Sequence, residues 1–211
     1  MGTSAFLNGW KLSSGLIAAL LAAHLAQPAR AEVTLLEAGP CPAERAVYEL
    51  RVPDDDAVWR LGFVPARTVA SMASDLYLRL TTPQRDYWFT FSVAQGYGGT
   101  SVFPITSPYN ESGPRNLLAE PYGDNPDGAS AEEVGGWLRF LGLDADLNVT
   151  ANPPMRGETA PAYLLLPEIG LGLWYAASAF TDDPAADRDP MPVGLFKRSG
   201  CLVVSPLPAL P

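Results

Sequence analysis

The chain has 211 residues, of which 14 are basic and 23 acidic, and 47% are hydrophobic. So acidic a balance repels nucleic-acid phosphates and gives no polybasic attraction to anionic lipid, so neither is an expected partner. The apolar and aromatic content is too high for a disordered acidic chain, so the chain is expected to fold.

Lys11 precedes a short apolar stretch from Leu16 to Ala26, and Pro28 then precedes Ala29-Arg30-Ala31. Small residues stand at the two positions a signal peptidase reads. The stretch falls short of the ~20 apolar residues a membrane span needs, although an uncleaved anchor is the competing account. Residues 1–31 are expected to be a cleaved signal peptide. Residues 32–211 are then a single exported domain, periplasmic or extracellular, with no transmembrane segment left. Cleavage removes Lys11 and Arg30 but no acid, and it also removes His24, the only histidine.

Cys41 and Cys201 are the only cysteines. In an oxidising compartment an even, isolated pair predicts one intramolecular disulfide joining the two ends of the domain. Two buried thiols or an intermolecular bridge are the alternatives.

In chain order, Arg45 to Val52 and Ala57 to Val64 alternate with period two, as half-buried strands do. Asp75 to Thr81 and Asp86 to Val93 read as a hairpin through Thr82-Pro83-Gln84-Arg85. Pairing Leu80 with Tyr87, Leu78 with Phe89 and Leu76 with Phe91 puts every large apolar residue on one face, and a one-residue slip undoes that. The same register places Arg79 opposite Trp88 on the other face. A strand follows at Thr100 to Ile105. Ser130-Ala131-Glu132-Glu133 then resembles a capping box, with Val134, Trp137, Leu138 and Leu141 at helical spacing and Gly142 as a stop, predicting one helix at about 131–141. Further strands are expected at Ala162 to Leu166, Gly170 to Ala176, Val193 to Lys197 and Leu202 to Ser205. The sum is a mainly β fold: an antiparallel sandwich or partly closed barrel with one short covering helix.

Without histidine, the domain has no Ser-His-Asp triad, no Cys-His dyad and no imidazole metal ligand, and bonded cysteines remove thiolate chemistry. Lys197 is the only lysine outside the leader, with Ser199 two residues on, and no nucleophile motif surrounds them. Paired carboxylates stay available for glycan hydrolysis, and Glu168, among apolar residues, is the acid most exposed to desolvation. Asp144, Asp146 and Asn148 carry oxygen side chains at alternate positions, as a calcium loop begins. Val149 and Met155 stand where an EF-hand needs glycine and glutamate, so any Ca2+ site is of another type. Asp54 to Asp56 and the set Asp182, Asp183, Asp187 and Asp189 are further acidic clusters. Trp88, Tyr97 and Trp174 are candidate platforms for a sugar ring, with an Arg79–Trp88 cation–π pair as the structural alternative. Asn110 and Asn148 each begin a glycosylation sequon. The leading expectation is a non-catalytic exported module that binds a protein or carbohydrate. A carboxylate-dependent glycan hydrolase and a calcium-stabilised structural or adhesive domain are the alternatives.

Overall fold

The computed structural model describes residues 40–53, 55–94, 99–118 and 138–209. The expected signal peptide, residues 131–137 of the expected helix, Asp54 and Tyr97 lie outside the described residues.

Nine strands run in chain order: β1 (Ala46–Arg51), β2 (Val58–Pro65), β3 (Leu76–Thr81), β4 (Asp86–Ala94), β5 (Gly99–Ile105), β6 (Arg139–Leu143), β7 (Val149–Thr150), β8 (Tyr163–Leu165) and β9 (Phe196–Cys201). Strands β1 to β5 form an antiparallel meander. β5 pairs onto β6 at Thr100↔Phe140, β6 onto β8, β8 onto β9, and β9 back onto β1. Eight strands thus close an antiparallel barrel, and β7 is an extra strand on β6.

Period-two alternation fills the interior. Tyr48, Phe63, Leu78, Phe89, Phe91 and Phe196 all point inward and are buried. The Phe91 and Phe140 rings meet edge to face at 5.0 Å, and Phe63 lies between Tyr48 and Phe140. Eight strands leave a lumen just wide enough for side chains to occupy. Outward positions carry Glu49, Arg60, Arg79 and Lys197 in mid-strand. Among the described residues, no helix is long and apolar enough to cross a membrane.

Both barrel ends are covered. At one, a disulfide joins Cys41 to Cys201, with a Cα–Cα distance of 5.9 Å. Cys201 pairs with Ala46 across the β1–β9 seam. The segment from Pro154 to Pro161 crosses that end, tied by Ala160 N–H to Cys41 O (2.8 Å), Ser74 Oγ to Pro154 O (2.8 Å) and Tyr48 OH to Pro161 O (2.9 Å). The opposite end carries helix α1 (Ile169–Tyr175) and a 3-10 turn, Ala177–Phe180, whose Phe180 packs on Phe89.

The hairpin register is the one its sequence predicts, with Leu80↔Tyr87, Leu78↔Phe89 and Arg79↔Trp88. Three other elements differ. The last part of the expected helix runs into β6, where Arg139 is exposed and Phe140 buried, with Leu138 buried just before it. The strand expected at Gly170 to Ala176 is instead α1, Ile169–Tyr175, because Ile169 and Leu173, four residues apart, supply its buried face. One strand, Phe196–Cys201, replaces the two expected near the C-terminus. A bulge in β9 against β1, between the Val47 and Tyr48 pairings, shifts its inward face from Phe196 to Cys201 and breaks the alternation.

Candidate interaction surface

Helix α1 is seated from below and open above. Gly170 brings its backbone against Met191, where a Cβ would come within 2.6 Å of the carbonyl oxygen, and a Cβ at Gly172 would sink into the Phe180 ring. Ile169 and Leu173 enter the core. The opposite face carries Leu171, Trp174 and Tyr175, at 62%, 41% and 75% exposure. Positions i, i+3 and i+4 adjoin on a helix surface, so the three side chains form one patch. Arg188 lies over the Trp174 ring at 5.2 Å from its centroid.

Asp189 holds this region in place. The residue is fully buried; its N–H donates to Leu173 O (3.1 Å), and its Oδ2 accepts from Thr82 Oγ1 (2.6 Å) and Tyr87 OH (3.0 Å). Burial, followed by the charge and hydrogen bond of Asp189, pushes the Tyr87 phenol well above its ordinary value. A buried carboxylate bonded to two hydroxyls from the β3–β4 hairpin fixes the segment under α1 to the barrel wall. The strand reading places Leu171, Leu173 and Tyr175 together in the core; only Leu173 is there. Glycines at every second position among large apolar residues were the available sign of close packing on one side.

The other expected site residues are distributed differently. Trp88 is 7% exposed, covered by Arg79 at 5.4 Å from its centroid and by an edge-on Tyr109 ring at 5.5 Å. It belongs to an outer cluster with Val64, Tyr77, Ile105 and Ala209 and offers no open ring face. Of the three expected platforms, Trp174 alone is exposed among the described residues.

Asp144 organises the β6–β7 turn. Its Oδ1 accepts from the N–H groups of Asp146 and Asn148, both at 2.9 Å, and its Oδ2 accepts from Asn148 Nδ2 at 3.0 Å. Those bonds, from the Asn148 side chain first, hold its carboxyl below the usual range. The alternating oxygens serve a turn in which Leu147 has a positive φ of 65°. Asp182, Asp183 and Asp187 are exposed and do not converge with buried Asp189; Asp183 faces Arg85 at 3.6 Å. Among the described residues, no three acids or cysteines form a metal-binding group. Glu168 accepts from Arg139 through its backbone N–H and its Nε (2.7 Å). Lys197 points outward between Glu49 and Tyr163, and Ser199 Oγ donates to Val47 O at 3.4 Å.

Two acids do share a concavity. Asp86 and Asp182 line a cleft of about 80 Å³ beside Trp88, Thr106 and Thr181. That space suits a few waters rather than a sugar ring. Burial alone would raise the Asp86 carboxyl, but hydrogen bonds from Arg79 and Thr81 and the Arg79 charge outweigh it and hold it below the usual range. Asp86 is therefore kept ionised, the reverse of a glycosidase general acid.

Fold and surface together define the class: a closed eight-stranded antiparallel barrel with a filled interior and one exposed apolar helix face. No family model, curated protein or solved structure matches this chain.

Proposed function

We propose that this protein is an exported, non-catalytic interaction module that engages another protein through the Leu171-Trp174-Tyr175 face of α1. The observation that carries this reading is the exposure of three large apolar side chains on one face of a helix anchored to the barrel. Tyrosine and tryptophan are the residues most often found as energetic anchors in protein interfaces. A helix presenting anchors at i, i+3 and i+4 suits an apolar groove on a partner. Arg188, over the Trp174 ring, is the charged group placed on this patch, and an acidic residue on the rim of that groove would complement it. The packed lumen and the hydrogen-bonded state of Asp86, Asp144, Glu168 and Asp189 support binding over catalysis.

The test is site-specific photocrosslinking in the producing cell, with p-benzoylphenylalanine at position 175. One discrete protein adduct is expected. Adding Leu171→Asp should remove it while leaving the melting temperature within about 1 °C, because surface changes away from special features stay within roughly 0.5 kcal/mol. Absence of any adduct, or an adduct indifferent to Leu171→Asp, overturns the reading.

A further inference from the structure

The tail after β9 crosses the outside of the barrel and is held at three points. Leu202 N–H donates to Arg45 O (2.7 Å), Tyr109 OH donates to Leu207 O (3.0 Å), and Ala209 N–H donates to Pro65 O (2.8 Å). Leu202 and Pro206 form the lip of a cleft of about 190 Å³ against the outer faces of β1, β2 and β3.

Gly62 is the floor. It pairs with Val47 on one side and Arg79 on the other. A Cβ there would meet nothing nearer than Ala46 O at 3.7 Å. Neither close packing nor a positive φ requires this glycine; its missing side chain leaves the cleft open.

Two arginines line the cleft beside this floor, and the guanidinium of Arg79 also lies over Trp88 of β4. Arg60 pairs with Thr81 and Gly62 with Arg79, so the two arginines are diagonal neighbours on the outer face, roughly 7–8 Å apart at the backbone. Each is oriented by an acid outside the cleft lining: Arg60 gives Nε to Glu49 (3.1 Å), and Arg79 gives Nε (3.1 Å) and Nη2 (2.6 Å) to Asp86. Both Nη groups of Arg60 and Nη1 of Arg79 make no hydrogen bond among the described residues. The one acid in the lining, Glu44, is buried and accepts from Gly157 N–H at 2.9 Å. Apolar surface comes from Val47, Val64, Tyr109 and Pro206.

We propose that this cleft binds a small amphipathic carboxylate the size of benzoate. The anionic head lies between Arg60 and Arg79, and the apolar body rests on Val47 and Val64 beside Tyr109, under the tail. Arginine donors suit a carboxylate, which accepts through two oxygens at once. The size fits as well, since a cavity of about 150 Å³ is known to hold one benzene ring. The site is separate from the α1 face and does not depend on its partner.

The test is a 19F NMR titration of the intact protein with 4-fluorobenzoate, with 4-fluorobenzamide as the uncharged isostere. Saturable binding is expected, with the amide at least about tenfold weaker, as loss of a charge-assisted pair implies. Gly62→Leu, which fills the floor, should abolish binding, and Arg60→Met should weaken it about tenfold with the melting temperature unchanged. A flat titration to about 10 mM, equal affinity for acid and amide, or unchanged affinity in folded Gly62→Leu overturns the proposal. Should Gly62→Leu fail to fold, undiminished affinity in Arg60→Met overturns it alone.

Discussion

At the level of single residues, several carboxylates among the described residues are committed to neighbours. Asp86 is the case with a readable pH signature. Its hydrogen bonds to Arg79 and Thr81 depress its folded pKa below the unfolded value, which is about 3.9. A depressed carboxyl adds stability that is fully present above the unfolded pKa and lost as pH falls through the folded one. Asp86→Asn should therefore lower the urea midpoint at pH 7, and the gap from the parent protein should close as pH drops below about 4. Parallel curves across that range would place the carboxylate's contribution elsewhere. The Arg79–Trp88 pairing was legible in the sequence, since strand parity alone sets it. Burial of Trp88 beneath Tyr109 was not, because Tyr109 arrives from a loop whose path no local pattern records. Asp189 was equally hidden: among four aspartates in one loop, only the fold distinguishes the one that reaches Thr82 and Tyr87.

Among the elements, the strands that alternate cleanly were the legible ones. Strands β1 to β5 begin and end within one residue of the sequence-based boundaries, and the hairpin register is reproduced because a one-residue slip would turn the large apolar side chains of one strand outward. β9 escaped because its bulge interrupts the alternation, and α1 escaped because Ile-Gly-Leu-Gly-Leu-Trp-Tyr satisfies both periods over so short a span. Local preference and packing disagree measurably within α1. Alanine is favoured over glycine by about 1 kcal/mol in a helix interior. Gly172→Ala should nevertheless destabilise the protein by about 1–3 kcal/mol, because the added methyl enters the buried Phe180 ring. Chemical denaturation decides the sign, and a stabilised variant would mean that α1 is not held against the 3-10 turn.

For the whole molecule, closure is the organising event, and no periodicity reports it. A sandwich and a barrel share the same strands and the same inward faces; they differ in whether β5 meets β6 and β9 meets β1. The cysteine pair was the one long-range contact legible in the sequence, and it lies beside that seam. Replacing both cysteines with serine should cost roughly 5 kcal/mol on the chain-entropy account of so long a loop, read as a lower urea midpoint under non-reducing conditions. An unchanged midpoint would mean that the seam hydrogen bonds suffice. The seam also imposes an order on synthesis. The first strand to emerge is paired on one side with the last, so its free edge and its sulfhydryl both wait for the C-terminus. A product cut between Cys41 and Phe196 lacks both β9 and Cys201, so it can neither close this wall nor form the disulfide within itself, and one thiol is left without its partner.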